Sequence, residues 1–160
     1  DLLGSRGLGD VYKRQLHVML RYEIEKQLFN GDLEVDDLPS TWNSMFKSWF
    51  DVEVPEDRLG CLQDIHWSMG AFGYFPTYTL GNLYAAQLLE AMAADLGNID
   101  DMVASGDWEP MLEWLRPRIH QRGSQVSPAQ LIEDATGAPP SPEPFLRYVE
   151  RKYGALYQLG

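Results

Sequence analysis

The chain has few of the residues that carry metal and covalent chemistry. Its single cysteine, Cys61, cannot form an intrachain disulfide, and a reducing compartment is the simplest reading. Its three histidines, His17, His66 and His120, sit in three separate segments. There is no HExxH, no CxxC and no Glu-x-x-His, and the Cys61–His66 spacing fits no zinc motif. No metal site is therefore expected within the chain. A nucleophile elbow is also missing. No apolar run approaches the ~20 residues that span a bilayer, and the N-terminal residues lack the apolar core of a signal peptide. Positive charge is scarce: 13 Lys and Arg against 24 Asp and Glu, a net charge of −11. That field repels duplex nucleic acid and disfavours an anionic membrane surface. The acidity itself names no function; it describes a solvated surface.

What is present is globular. The 160 residues are 44% hydrophobic and 12% aromatic, which suits one domain or a piece of one. The first fifteen residues, DLLGSRGLGDVYKRQ, differ from the rest. They lack an initiator Met, and Gly4, Gly7 and Gly9 break any helical period. They resemble translated adaptor or vector sequence, so native sequence is expected from Leu16, with the N-terminal part missing.

From Leu16 onward the pattern is helical. Leu16, Met19, Leu20, Ile24 and Leu28 share a face that ends at Asn30-Gly31. Asp37 or Ser40 can cap a second helix carrying Trp42, Met45, Phe46 and Trp49. Residues 51–60 read as a loop, and a long helix is expected from about Thr77 to Leu96. Ser105 to Asp107 offers an N-cap for a helix through Trp108 to Ile119, which Pro117 should kink or interrupt. Ser127-Pro128 with Gln130 predicts a capping box, with Gly137 as its helix stop. Ser141-Pro142 predicts a last helix that Gly154 can end, after a rigid Pro-rich turn. No alternating stretch bounded by hairpin turns occurs, so the fold class is all-α.

One segment stands out: GCLQDIHWSMGAFGYFPTYTLGNLY, Gly60 to Tyr84. Read plainly, it is an aromatic-packed helix connection. Read chemically, it is a substrate wall. Imidazole N–H and tyrosine O–H groups are neutral donors suited to an oxyanion developing on a carbonyl. Asp64 could orient the His66 ring. Tyr74 and Tyr78 are four apart and share a face only if a helix already runs there.

The same segment resembles the C-terminal signature of the thermostable-carboxypeptidase family of zinc metallocarboxypeptidases. The matching pattern is G-x-x-Q-D-x-H-W, here Gly60, Gln63, Asp64, His66 and Trp67. It continues as F-G-Y-F-P-T-Y-x-L-G-N, here Phe72 to Tyr78, Leu80, Gly81 and Asn82. His17 to Glu25, HVMLRYEIE, resembles a family helix, and the resemblance extends over 16–160.

The resemblance implies the C-terminal helical part of a two-lobed, neurolysin-like zincin fold. It implies a cytoplasmic enzyme, often a homodimer, that removes single residues from peptide C-termini with broad specificity and acts poorly on proline. It implies zinc held by two histidines of HExxH and a later Glu, with the HExxH Glu as general base. None of those residues, and no Arg motif for the substrate carboxylate, is in this chain. The fragment alone is therefore expected to be inactive. The resemblance gives His66 as donor to the scissile carbonyl or substrate backbone, and Tyr78 as oxyanion donor, with Tyr74 competing for that role. Asp64 and Gln63 stand one layer behind. Arg21 and Glu23 read as structural ion-pair residues, Trp67 and Tyr84 as core, and His120 as surface or packing. The alternative function is a stand-alone acidic helical module that binds peptides without cleaving them.

Overall fold

A computed structural model describes residues 10–158 of the protein. Every regular element among the described residues is helical. The chain divides into two units, one through Thr79 and one from Leu80.

The first unit is built on α1 (Asp10–Asn30) and α2 (Leu38–Phe50). Helix α1 starts at Asp10, so residues 10–15 continue the helix read from Leu16; residues 1–9 lie outside the described residues. Its buried face differs from the expected stripe by one position. Leu20 and Ile24 are fully buried, but Val18 is buried while Met19 is 48% exposed. The helix stops where expected. Gly31 takes φ 77°, and Asp32 and Leu33 donate back to the Gln27 carbonyl.

Helix α2 has Pro39 in its first turn and no side-chain cap from Asp37; Ser40 Oγ instead donates to the Asp37 carbonyl. Trp42 and Phe46 are its buried anchors, and with Leu20, Ile24 and Cys61 they form the core. The Cys61 thiol is pushed up in pKa, first by burial and then by Asp57, which makes it a packing residue and not a nucleophile.

Residues 51–60 form the expected loop, with a 3-10 turn at Asp57–Leu59. A second turn, Cys61–Gln63, leads into the short α3 (Ile65–Ser68). Gly60 marks a close approach. A Cβ there would lie 2.7 Å from Val54 Cγ1 and 3.3 Å from Cδ1 and Nε1 of Trp42. Gly60→Ala is therefore expected to lower stability by about 1–3 kcal/mol, the usual effect of overpacking. A denaturant midpoint equal to that of the wild type would refute the crowding.

Helix α4 (Pro76–Leu96) begins in the first unit and continues into the second. There Met92 packs with Ile99 and Trp114. The sequence reading missed α5 (Ile99–Ser105), whose N-cap is Asn98 accepting from Asp100 and Asp101 N–H. Ser105 consequently closes a helix; it does not open one, and Gly106 at φ 75° is the C-cap. Helix α6 (Glu109–Leu115) follows and passes into a π turn at Arg116–His120, the interruption that Pro117 predicts.

Helix α7 (Pro128–Thr136) is capped by Ser127 Oγ, which accepts from Gln130 N–H. The return half of the capping box is absent, because the Gln130 side chain donates to Asp134. The Pro-rich turn is held from inside by buried Gln87. Its Nε2 reaches the Thr136 hydroxyl and the carbonyls of Ala138 and Pro139, and its Oε1 accepts from Ser141 N–H. Helix α8 (Glu143–Tyr157) runs through Gly154 and ends three residues later, where Gln158 takes φ 53°. Gly154 has open space around it, and a single glycine weakens a helix by only about 1 kcal/mol without stopping it.

Candidate active site

Asp64 organises the site. Its side chain is 2% exposed. It caps α3: Oδ1 accepts from His66 N–H at 2.8 Å and Trp67 N–H at 3.4 Å. Oδ2 accepts from Nε of Arg21. The Arg21 guanidinium also donates through Nη1 to the His17 carbonyl at 2.9 Å. It lies over the rings of Trp42, at 4.8 Å, and Phe75, at 5.5 Å. A buried carboxylate is thus matched by a cation that is itself held by aromatic faces.

That arrangement fixes His66. Asp64 Oδ1 lies 3.3 Å from its Nδ1, and its Nε2 lies 3.2 Å from the Tyr78 hydroxyl. With Nδ1–H facing the carboxylate, Nε2 is left to accept from the Tyr78 O–H. The ring packs on buried Phe75, centroids 4.8 Å apart. Tyr74 stacks on it at 5.8 Å and 25°. Tyr74 precedes α4, which starts at Pro76, so the two tyrosines do not share a helix face. Their rings nevertheless meet edge-on at 5.3 Å.

A cavity of about 280 Å³ opens beside these groups. His17, Val18, Arg21, Gln63, Asp64, His66 and Tyr78 line it; Tyr74 does not. The structure therefore brings His66, Tyr78, Asp64 and Gln63 to one wall and sets Tyr74 behind the imidazole. Gln63 donates to the Arg58 carbonyl at 2.9 Å. The ion-pair reading holds for Arg21 with Asp64, and for Glu23 with Lys26 at the surface. Trp67 packs against the core, Tyr84 is half-buried and His120 is exposed.

The sequence reading passed over His17 and Glu25. With Arg21 they stand at i, i+4 and i+8, a polar stripe beside the buried apolar face of α1. That spacing was the available signal. His17 stacks on Phe50 at 4.5 Å, and burial, then the Arg21 charge, hold its pKa below 6.5. The unfolded chain thus binds the extra proton first, so stability is full above about pH 6.5 and falls below it, down to the folded-state pKa. His17→Gln is expected to flatten that acid limb. Thermal unfolding across this range checks it, and an unchanged slope would remove His17 as the cause.

The side chains of the described residues do not converge on a metal position. No three His, Cys, Asp or Glu side chains converge among the described residues, and both His66 nitrogens face protein groups.

The sequence pattern of the carboxypeptidase Taq (M32) metallopeptidases matches residues 9–153. The chain belongs to this family. It is 47% identical over 142 residues to thermostable carboxypeptidase 1 of Thermus thermophilus, covering 89% of this chain and 28% of that protein. Against carboxypeptidase 1 of Bacillus subtilis it is 41% identical over 144 residues, with 90% and 29% covered. It superposes on the M32 carboxypeptidase from Deinococcus radiodurans R1 with a TM-score of 0.86 and 36% identity, covering 90% of this chain and 29% of that one. The chain thus spans under a third of the length of these relatives, and its matched part is helical.

Proposed function

We propose that this chain is the substrate-side part of a metallocarboxypeptidase that releases single residues from peptide C-termini. The observation that supports it most is the His66–Tyr78 contact at 3.2 Å on the wall of a cavity, in a chain of this family. Attack on a peptide carbonyl turns its oxygen into an oxyanion, and fixed neutral donors stabilise that charge more than they stabilise the ground state. Tyr78 supplies such an O–H. At rest that hydrogen points to His66 Nε2. If Nε2 takes a proton from bulk solvent, the pair reverses: the imidazolium donates to Tyr78 Oη, and the Tyr78 O–H, its bond intact, turns toward the cavity. Asp64 faces the ring through Nδ1, and Arg21 holds the Asp64 carboxylate in place.

The metal is proposed to be zinc, held outside this chain by the HExxH set that the resemblance implies. It would supply the activated water. The resemblance also supplies the homodimer, the cytoplasmic location and the weak action on proline. No helix among the described residues is long and apolar enough to cross a membrane.

The test is made on the full-length protein. Blocked peptides with a free C-terminus should lose their last residue, while C-terminally amidated ones should not. A chelator should stop release, zinc should restore it, and a terminal proline should slow it. If the metal-loaded protein binds these peptides but releases nothing, the enzyme reading fails and the peptide-binding module replaces it.

A further inference from the structure

Helix α1 carries a second buried charge that the proposed chemistry leaves unused. Glu25 is 4% exposed, and neither of its oxygens meets a cation in an ion pair among the described residues. Both accept from neutral donors far along the chain. Oε1 takes Trp67 Nε1–H at 2.9 Å, and Oε2 takes Gly73 N–H at 3.1 Å. A carboxylate removed from water is costly, and two charge-assisted hydrogen bonds are what hold it there. The two donors frame one short segment. Trp67 follows His66 directly, and Gly73 precedes Tyr74 directly.

Its own backbone closes the turn, with Gly70 N–H donating to the Trp67 carbonyl at 3.0 Å and Ala71 N–H to the His66 carbonyl at 2.8 Å, but these bonds are local and do not tie Gly73 to the helix. Gly70 and Gly73 both take φ 73°, and Met69, Phe72 and Tyr74 are all exposed. It also meets α1 through the edge contact of Phe72 with Phe29, at 5.2 Å, and through Trp67 against the cluster of Leu20 and Ile24. One turn earlier on α1, Arg21 grips Asp64 at the start of the same stretch. The helix thus fastens both ends of the segment that presents His66 and Tyr74.

We infer that Glu25 is a positioning residue: by clamping Trp67 and Gly73 it seats the Tyr74 ring on His66 and fixes which face of the imidazole meets the substrate. The inference rests on the proposed metallocarboxypeptidase reading for its effect on turnover, but not for the clamp itself. A merely structural Glu25 would affect the amount of folded protein and leave each folded site working normally. A positioning Glu25 acts on turnover per site, because small displacements of reacting groups have large effects on rate.

The experiment uses full-length E25A, E25Q, W67F and E25Q/W67F, with two readouts. The first is hydrogen exchange at the Gly73 amide. E25A should raise it roughly ten- to hundredfold, as expected for losing a hydrogen bond to a charged group. The second is kcat and KM per metal-loaded site. E25A should lower kcat roughly 10- to 100-fold, with a smaller change in KM. E25Q keeps one carbonyl acceptor but turns an NH2 group against the other donor. Removing the indole N–H with W67F takes that conflict away, so E25Q should reduce kcat less in the W67F background than in the wild type.

Unchanged Gly73 exchange in E25A overturns the clamp. Normal kcat per site with faster exchange overturns the positioning role, as do additive effects of E25Q and W67F. Should E25A fail to fold, the E25Q and W67F set decides by the same criteria. If the wild-type enzyme releases no C-terminal residue, the functional reading fails by itself. Faster exchange at Gly73 in the Glu25 variants then still supports the clamp, and unchanged exchange still overturns it.

Discussion

Arg21→Met is expected to destabilise the protein by about 3–5 kcal/mol, the range for removing one partner of a buried ion pair. The reason is what it leaves behind. Asp64 is 2% exposed, and without Arg21 it retains the two α3 N–H groups and the facing His66 Nδ1 but no full cation as partner among the described residues. Methionine is close in length to the lost stem, so packing beneath Trp42 and Phe75 is mostly kept and charge is the main change. The pairing has a second consequence. Asp64→Asn alone should be milder, because asparagine caps a helix as well as aspartate does. The double variant R21M/D64N should regain much of the loss, since no orphan charge remains. Denaturant unfolding of the four proteins gives the coupling. An R21M midpoint close to wild type, or strictly additive losses, would show that Asp64 does not depend on Arg21.

Arg21 also shows where sequence reading stops. Its role as a structural ion-pair residue was expected from its place in the helix that resembles the family's. Its partner was not, since Asp64 lies 43 residues away and only the folded chain brings it close. Local signals fared well. Asn30-Gly31, Ser127 and Gly137 act through their own hydrogen bonds and φ angles, and the structure has them as expected. Local signals failed where two readings used the same residues. Ser105-Gly106-Asp107 serves as a helix start or a helix end equally well on paper, and the Gly106 φ of 75° decides for an end. Val18 is buried where Met19 is exposed because Val18 lies on the side of α1 that lines the cavity.

In the site, the motif names His66, Asp64 and Gln63, and the structure has all three on the wall of one cavity. The different placement of the two tyrosines follows from the helix boundary. Pro76 at the first position of α4 was visible as a start signal, and it puts Tyr74 in the preceding loop. Glu25 escaped notice because a single glutamate on a helix usually faces solvent.

The proposed role of Tyr78 predicts the largest change in rate. In the full-length enzyme, Tyr78→Phe should lower kcat by roughly 10²–10³, the effect of losing one oxyanion donor. KM should change little, because the ground-state carbonyl needs that donor less than the transition state does. Phenylalanine keeps the ring, and with it the edge contacts to Tyr74 at 5.3 Å and to the imidazole at 6.1 Å. What goes is the hydroxyl 3.2 Å from His66 Nε2. Tyr74→Phe is the matched control. The Tyr74 hydroxyl has no hydrogen-bond partner among the described residues, and its ring lies outside the cavity wall, so kcat should fall by less than about tenfold. Steady-state kinetics of both variants on one blocked peptide separate the cases. A large loss in Tyr74→Phe with near-normal turnover in Tyr78→Phe would move the donor to Tyr74. Such a result would also require the Tyr74 ring to leave its stack on His66 before it could reach a substrate.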